Sequence, residues 1–289
     1  MKSNEKNKFD ILIPCHVKDK EIIKECIKYI KKNILGYRKI FVLSKGNFLP
    51  EYNNIKFVDE SIFPFSIKDF AKYAPKGRAG WYYTQFLRLY FFKIMGKEVL
   101  DNVLTIDADT SFIKKTAFFK EGIPLYNVEI GHHQPYYDIL EKVFGFGKEH
   151  PKYSGTTHNM LFQREYIEEI FSLNSKRNKN DLWLEIMKNI DINTESGFSC
   201  YDLYFNYMLK FHPKKIKIRK LIFIDFPSNN PVFIKFFEML GYNYLSCHEY
   251  YTRERFPAIR SFARALLTRI GIKEYLKSIL LRLKIFKRK

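Results

Sequence analysis

Two carboxylates stand where a strongly apolar segment of the chain ends. The run V-L-T-I at 103–106 has the composition of a buried strand, and Asp107 and Asp109 follow it within the sequence D-A-D-T. Carboxylates at the carboxyl edge of an open α/β sheet can hold Mg²⁺ or Mn²⁺, which prefer oxygen ligands, and the ion can then bridge phosphate oxygens. The pattern predicts a metal-diphosphate site. The alternative is a solvated turn in which Asp109 caps the next element.

Three polar side chains before this segment are candidate donor-binding residues. Arg78 lies in a loop, while Gln85 and Arg88 lie three residues apart in an aromatic helical segment and therefore share one helix face. Arginine suits bidentate contacts to phosphate, so this face is predicted to bind a nucleotide or its diphosphate. Alternatively, Arg88 pairs with a surface acid.

Four further candidates follow the acidic segment. His248 comes directly after a strand-like run, where an imidazole can serve as a metal ligand, although a single histidine is more often structural. His133 and His158 are candidates for binding acceptor hydroxyls, and His158 could instead satisfy a buried turn. Asp202 lies in the first turn of a predicted helix, where it either favours the helix dipole or deprotonates an acceptor hydroxyl.

The apolar pattern predicts strands alternating with helices. Strands are expected at 9–14, 39–44 and 55–58, with a helix at 18–33, and this order implies a mainly parallel sheet covered by helices. A long aromatic helix is expected at 81–95, closed by Gly96. Further strands are expected at 128–131, 159–162, 217–224 and 243–247, and helices near 164–173, 181–190, 201–210 and 231–240.

Composition limits the class of protein. The chain has 289 residues, enough for one extended α/β domain, and its four cysteines form no C-x-x-C pair that would indicate a zinc ribbon or a disulfide framework. A reducing compartment is expected. No apolar run approaches the roughly 20 residues needed to cross a bilayer, and the polar start of the chain does not resemble a secretion signal.

The net charge of +19 is concentrated near the end of the chain, where residues 253–289 carry twelve Lys and Arg against two acids. Apolar residues recur there at helical spacing. These basic amphipathic helices predict binding to an anionic membrane, or alternatively a helix docked on its own core with a solvated basic face. Nucleic-acid binding is not expected, because no known motif for it is present. The predicted membrane-binding residues are Arg260, Arg264, Arg269, Lys273, Lys277 and Arg282.

Several of these segments together resemble GT-A-type glycosyltransferases. The resemblance extends from about residue 9 to 250, and it is carried by P-C-H at 14–16, G-W-Y-Y-T-Q at 80–85, I-D-A-D-T at 106–110, T-H-N-M at 157–160, Asp202 and His248. The most similar members are a little-characterised bacterial group of sugar transferases that share the G-W-Y…Q helix start and the D-A-D-T strand end.

The resemblance implies an α/β, Rossmann-like GT-A fold with a mainly parallel mixed central sheet. It implies a catalytic domain at 1–250, with a nucleotide-binding half at about 1–125 and an acceptor half at about 126–250, followed by the basic tail at 251–289. Pro14 and His16 would lie on the donor side.

The resemblance also implies ligands for a divalent metal, Mn²⁺ or Mg²⁺. Asp107 would contact the ribose or the metal, Asp109 would bind the metal, and His248 would be a late metal ligand. Asp202 falls where inverting members place their base. This chain has no acidic pair there, so the resemblance leaves inversion or retention open.

The expected function is therefore metal-dependent transfer of a sugar from a nucleotide-sugar donor to a glycan or lipid-linked acceptor. We expect the protein to lie peripherally on the cytoplasmic face of the cell membrane and to build a surface glycan such as lipopolysaccharide or capsule. One alternative is a non-catalytic basic membrane-binding protein with structural acids. The other is a sugar-phosphate nucleotidyltransferase, which would release pyrophosphate.

Overall fold

The computed structural model describes residues 7–48 and 54–247, together with Phe262. Strands and helices alternate through this part of the chain. The strands are β1 (Phe9–Pro14), β2 (Ile34–Leu35), β3 (Tyr37–Ser44), β4 (Ile55–Asp59), β5 (Asn102–Ile106), β6 (Thr110–Phe112), β7 (Thr116–Ala117), β8 (Phe119–Lys120), β9 (Ile123–Asn127), β10 (Glu129–Ile130), β11 (Tyr153–Ser154), β12 (Asn159–Gln163), β13 (Lys217–Arg219), β14 (Phe223–Asp225) and β15 (Tyr244–Ser246). The α-helices are α1 (Ile22–Asn33), α2 (Ile67–Ala71), α3 (Ala79–Met95), α4 (Gln134–Phe144), α5 (Arg164–Arg177), α6 (Leu182–Lys188), α7 (Cys200–Phe211) and α8 (Pro231–Met239), and short 3-10 helices occur at Val17–Asp19, Glu60–Ile62, Gly96–Glu98 and Pro213–Lys215.

The central sheet has the strand order β12-β5-β1-β3-β4. Its strands are parallel except β12, which pairs antiparallel with β5. From β1 the chain adds β3 and β4 on one side and then returns to place β5 on the other, so the strand order reverses between β1 and β5. In doubly wound sheets ligands bind at the carboxyl ends of the strands at such a reversal. The predicted α/β, Rossmann-like, mainly parallel sheet is confirmed.

Burial explains why the central strands form. Every residue of β1 and of β5 is buried, as expected for parallel strands covered on both faces. The long helix α3 is mostly buried along its 17 residues, and it ends at Gly96, whose φ of +52° suits a residue without a Cβ. The predicted aromatic helix and its glycine cap are confirmed.

One hydrophobic core includes side chains from both predicted halves of the domain. Phe86 of α3 stacks on Phe198, which precedes α7, with 5.4 Å between the ring centroids. The packing joins the middle of α3 to the start of α7, and these two segments carry several of the candidate residues.

A second, three-stranded sheet has the order β14-β15-β6 and begins directly after the acidic turn, because β6 starts at Thr110. The hydroxyls of Thr110 and Ser246 lie 2.7 Å apart and tie β6 to β15. Beside this sheet, α8 and neighbouring apolar side chains form a separate small core. The sheet thus brings two distant chain segments, around Asp225 and Cys247, close to Asp109.

The structure differs from the predicted elements in several places. The expected strand at 217–224 is two strands, β13 and β14, which pair with β9 and β15 in different sheets. Between them the amides of Leu221 and Ile222 donate to side-chain oxygens of Asn127 and Asn243 instead of a neighbouring strand.

The expected strand at 128–131 contracts to β10. Helix α4 was not expected, although Pro135 lies in its first turn, where proline is well tolerated. The expected helix at 18–33 begins at residue 22 because a 3-10 turn, started by His16, comes first.

The basic tail lies outside the described residues, apart from Phe262. All six predicted membrane-binding residues are among those outside: Arg260, Arg264, Arg269, Lys273, Lys277 and Arg282. None of the helices in the described part of the chain is long and apolar enough to span a bilayer.

Candidate functional site

Asp107 is the first residue after β5, at the point where the order of the central sheet reverses. Its Oδ1 accepts a hydrogen bond of 2.6 Å from Nη2 of Arg88 and lies 3.2 Å from the hydroxyl of Tyr201. Its Oδ2 lies 3.3 Å from Nδ1 of His158. Both carboxylate oxygens of Asp107 are therefore engaged by protein groups, at least one of which is a permanent cation.

Arg88 reaches Asp107 from the middle of α3 and is buried. Its guanidinium lies 5.0 Å from the ring centroid of Tyr201. Burial alone would lower the pKa of Arg88. The neighbouring Tyr201 and Asp107 raise this pKa by more than burial lowers it, so the net pKa lies above its usual value. Arg88 does pair with an acid, but its partner belongs to the D-A-D-T segment and not to the surface.

His158 connects Asp107 to a residue that the sequence did not single out. Nε2 of His158 lies 3.4 Å from Oδ1 of Asp225, the last residue of β14. Burial lowers the pKa of His158, but the neighbouring carboxylates of Asp107 and Asp225 outweigh this effect, so the pKa lies well above its usual value. We refer to Arg88, Asp107, His158 and Asp225, with alternating charge, as the charge line.

The backbone of His158 has a φ of +63°, a conformation that residues other than glycine rarely adopt. Its carbonyl oxygen accepts a hydrogen bond from the amide of Asp107 at 3.0 Å. The side chain and the main chain of His158 thus both contact Asp107. Strained residues of this kind persist where the surroundings fix them, often at functional sites.

Asp109 lies on the same turn and is half-buried. The turn is fixed by hydrogen bonds from the amide of Thr110 to the carbonyl of Asp107 and from the amide of Cys247 to the carbonyl of Asp109. Burial, followed by the nearby charge of Asp109, raises the pKa of Cys247 to about 11. Asp109 therefore lies between the end of β5 and Cys247, the residue after β15.

The carboxylate of Asp109 suits a hard divalent cation. Within residues 7–48 and 54–247, however, no three His, Cys, Asp or Glu side chains are grouped as a metal site. The predicted third ligand, His248, follows Cys247 directly and lies outside the described residues. The oxygens of Asp107 face Arg88 and His158, and Oδ1 of Asp109 lies 3.4 Å from the hydroxyl of Thr110. Metal binding by Asp107 and Asp109 stays a prediction.

The other predicted donor-binding residues are held in protein contacts. Pro14 is buried at the end of β1, and the exposed His16 accepts a hydrogen bond from the amide of Lys18 through Nδ1. Gln85 is buried, and its Oε1 accepts from the amide of Cys200. Arg78 donates to the carbonyl of Glu195 at 2.9 Å. Direct contact of these residues with a donor stays a prediction.

Gln85 and Arg88 do share one face of α3, as their spacing predicted. Gln85 binds the first residue of α7, and Arg88 lies over the ring of the second, Tyr201. This face positions the start of α7 beside the acidic turn. Tyr201 then binds both Asp107 and, through a contact of 2.8 Å between hydroxyls, Thr105 of β5.

Asp202 is 1% exposed. Its carboxylate accepts hydrogen bonds from the hydroxyls of Ser154 and Thr156 and from the amide of Gly155, at 2.8 to 3.0 Å. Burial raises its pKa, although these three hydrogen bonds lower it in part. A catalytic role for Asp202 stays a prediction, and its contacts favour a structural role in fastening the segment before β12 to α7.

His133 lies near Arg78 and holds the same loop. Its Nε2 donates to the carbonyl of Ser196 at 2.7 Å, while Arg78 donates to the hydroxyl of Ser196. The loop that both residues hold leads into α7. Acceptor binding by His133 or His158 stays a prediction.

Sequence reasoning missed Asp225, Tyr201 and Lys148. Asp225 ends a short apolar strand, so the pattern that identified Asp107 could have found it. Tyr201 gave no separate signal. Lys148 is half-buried and donates to the carbonyl of Gly131, and burial lowers its pKa to about 8 even though Asp202 opposes that shift.

No family model matches the sequence, and no curated protein is significantly similar to it. Among solved structures, the chain is similar to the galactosyltransferase LgtC in complex with donor and acceptor sugar analogues. The TM-score is 0.46 and the sequence identity 14%, over 83% of this chain and 87% of that one. A similarity of this size does not assign an activity.

Proposed function

We propose that this protein is a metal-dependent glycosyltransferase of GT-A type that uses a nucleotide-sugar donor. The observation that carries the proposal is the position of the acidic turn. Asp107 and Asp109 follow β5 at the reversal of a Rossmann-like sheet, where such sheets bind nucleotides. An isolated solvated turn would not require Asp107 to be tied to α3 through the buried Arg88 and to the residue before β12 through the half-buried His158.

In this proposal the two acids have different tasks. Asp109, half-buried and beside the end of β15, would hold a divalent ion together with His248. Asp107 is a positioning residue: Arg88 and His158 fix its carboxylate, and its carbonyl and amide fix the turn that presents Asp109. When bound, the ion supplies positive charge to the diphosphate that leaves the sugar.

The reaction breaks the bond between the anomeric carbon and the donor phosphate and forms a bond from that carbon to an acceptor hydroxyl oxygen. The acceptor loses its proton, and the nucleoside diphosphate leaves with the electron pair. The chain's own residues contribute by orientation. The charge line holds β5, β12 and β14 in fixed positions around the turn, and α3 holds the start of α7 beside it.

We further propose a glycan or lipid-linked acceptor and a peripheral position on the cytoplasmic membrane face. The basic amphipathic character of residues 251–289 supports this part. An acceptor carried on a lipid would then meet the site at the membrane surface, in the synthesis of a surface glycan such as lipopolysaccharide or capsule.

The proposal is tested by measuring the product that the protein releases from sugar nucleotides when water is the acceptor. The full-length protein is incubated with Mn²⁺ and a panel of sugar nucleotides, and free nucleoside diphosphate is measured. Release from one donor, lost in Asp109→Asn, supports the proposal. Pyrophosphate release from a nucleoside triphosphate and a sugar phosphate would instead indicate a nucleotidyltransferase. No release from any donor, together with intact vesicle binding, would favour the non-catalytic membrane-binding alternative.

A further inference from the structure

The start of α3 projects beyond the carboxyl edge of the central sheet. The helix leads into β5 through residues 96–101 and runs back along it, and Arg88 in the middle of the helix already lies at the end of β5, beside Asp107. Ten residues separate Arg78 from Arg88, which corresponds to about 15 Å along a helix. Arg78 and the first turn of α3 therefore lie beyond the acidic turn, on the side of the sheet where ligands bind.

Two aromatic side chains lie side by side in this region. Trp81 in the first turn of α3 and Tyr136 in the first turn of α4 are nearly parallel, with an angle of 16° and 6.5 Å between the ring centroids. Both side chains are half-buried, so part of each remains open to solvent. We call this pair the aromatic platform. Aromatic surfaces of this kind offer an apolar area on which the C–H face of a sugar ring can pack.

Arg78 brings a positive charge to the aromatic platform. Its guanidinium carbon lies 4.8 Å from the ring centroid of Trp81. Nε donates to the carbonyl of Glu195 at 2.9 Å, and Nη2 donates to the hydroxyl of Ser196 at 2.7 Å. Among the residues that the structure describes, no carboxylate pairs with Arg78, and its Nη1 makes no hydrogen bond. A guanidinium that lies over an aromatic ring and has donors to spare is suited to a carboxylate or a phosphate.

His133 adds a second polar group beside the platform. Its ring lies 4.4 Å from that of Tyr136, measured between centroids, and its Nε2 donates to the carbonyl of Ser196 at 2.7 Å. In the neutral imidazole this leaves Nδ1 as an acceptor. Nδ1 makes no hydrogen bond within the described part of the chain, and the side chain is exposed. It can therefore accept a hydrogen bond from a hydroxyl of a sugar that packs on the platform.

The loop before α7 does not depend on the charge of Arg78. The hydroxyl of Tyr82 accepts from the amide of Gly197 at 2.7 Å, and Phe198 stacks on Phe86 of α3. A neutral side chain could also donate to the carbonyl and the hydroxyl that Arg78 reaches. The positive charge of Arg78, which no described carboxylate balances, therefore favours a ligand over a purely structural role.

We propose that Arg78, Trp81, Tyr136 and His133 bind an acceptor sugar that carries an anionic group, a carboxylate or a phosphate. The sugar ring packs on the aromatic platform, Arg78 pairs with the anionic group, and Nδ1 of His133 accepts from a hydroxyl. The inference rests on the proposed sugar transfer and narrows its acceptor to an acidic glycan. It places Arg78 on the acceptor side of the site and not on the donor side.

The proposal is tested by binding to the full-length protein, followed by tryptophan fluorescence. Glucuronate and glucose 6-phosphate are the anionic probes, and glucose is the neutral probe. We expect one anionic probe to bind about tenfold or more tightly than glucose, because it adds a charge-assisted hydrogen bond, and the tighter of the two identifies the anionic group. Trp81→Phe should abolish the fluorescence change, because the other tryptophan, Trp183, packs against Phe65 and Phe70. Equal affinities for all three probes, or no binding of either anionic probe, would overturn the proposal.

A second variant separates the charge of Arg78 from its contacts with the loop. Arg78→Gln keeps a donor for the carbonyl of Glu195 and the hydroxyl of Ser196 but removes the charge. Lys76→Gln is the matched control, because it removes the same charge from an exposed residue two positions earlier. We expect Arg78→Gln to lose the preference for the anionic probe and to keep its affinity for glucose, while Lys76→Gln keeps both. Equal losses for anionic and neutral probes in Arg78→Gln would show that Arg78 only holds the loop, and an unchanged preference would also overturn the proposal.

Failure of this inference is distinct from failure of the proposed sugar transfer. Sugar transfer fails if no sugar nucleotide yields free nucleoside diphosphate, and the binding of the anionic probes does not depend on that reaction. The present inference fails if the protein releases nucleoside diphosphate but binds the anionic probes no more tightly than glucose.

Discussion

The guanidinium of Arg88 lies 2.6 Å from Oδ1 of Asp107, and this pair ties the middle of α3 to the carboxyl end of β5. Arg88 is buried, while the Asp107 side chain is 24% exposed at the rim of the sheet. The pair therefore extends from the core to the candidate site. It gives the first acid of the D-A-D-T segment an anchoring role beside Asp109, the proposed metal ligand.

Replacing Arg88 by methionine should lower the free energy of unfolding by about 3 kcal/mol, because it leaves a partly buried carboxylate without its cation. A double-mutant cycle with Asp107→Asn should give a coupling energy of about 1–3 kcal/mol. Urea unfolding followed by circular dichroism measures both quantities.

The control for this cycle is the exposed pair between Lys56 and Glu98. Lys56→Met should lower the free energy of unfolding by less than about 1 kcal/mol, because solvent screens surface ion pairs. A coupling near zero for Arg88 and Asp107 would show that the pair does not hold the acidic turn.

His158 should carry a positive charge at neutral pH. Its pKa is lowered by burial but raised more by the neighbouring carboxylates of Asp107 and Asp225, and it lies well above the ordinary value. Nitrogen chemical shifts of the labelled imidazole measure the pKa directly. Asp225→Asn should lower this pKa, because one of the two neighbouring carboxylates is removed. A neutral imidazole at neutral pH would contradict the charge line.

The same shift predicts how stability depends on pH. The folded-state pKa of His158 exceeds the unfolded value of about 6.5, so its contribution is complete below that value and is lost as the pH rises through the folded-state pKa. The difference in unfolding free energy between the parent protein and His158→Gln should therefore be largest below about pH 6.5 and decline above it. A difference that stays constant over this range would contradict the prediction.

Asp202→Asn should lower the free energy of unfolding by about 1–3 kcal/mol, because an amide cannot accept all three hydrogen bonds that the buried carboxylate receives. Donor binding should persist. Asp138→Asn is the control, since this exposed acid accepts a hydrogen bond from Gln134 on the surface of α4. Unchanged stability together with loss of transfer to the acceptor would instead support Asp202 as the base.

The central elements could be predicted because buried strands and helices require mainly apolar residues, which the sequence shows directly. β1 and β5 consist mostly of apolar residues, and Gly96 marks the end of α3. The prediction of one strand at 217–224 was wrong, because the sequence does not show where a segment leaves one neighbouring strand and begins to pair with another. Between the two strands, which belong to different sheets, the amides of Leu221 and Ile222 donate hydrogen bonds to asparagine side chains.

The site could be predicted only in part. Asp107 and Asp109 were identified because acids after a buried strand are unusual, but the partners of Asp107 are 19 to 94 residues away in the chain. Contacts at such separations depend on the fold. The positive φ of His158 likewise could not be predicted, because residues other than glycine adopt this conformation only uncommonly and the fold decides where they do.

The most direct test of the account is calorimetric titration of sugar nucleotides into the full-length protein with and without Mn²⁺. The variants are Asp109→Asn and, as a control, Asp101→Asn at the opposite end of the same strand, where the side chain is 84% exposed. We predict that one sugar nucleotide binds in a Mn²⁺-dependent manner to the parent protein and to Asp101→Asn, and that Asp109→Asn loses this binding. Equal binding by Asp109→Asn and the parent protein would contradict a metal-diphosphate site at the acidic turn.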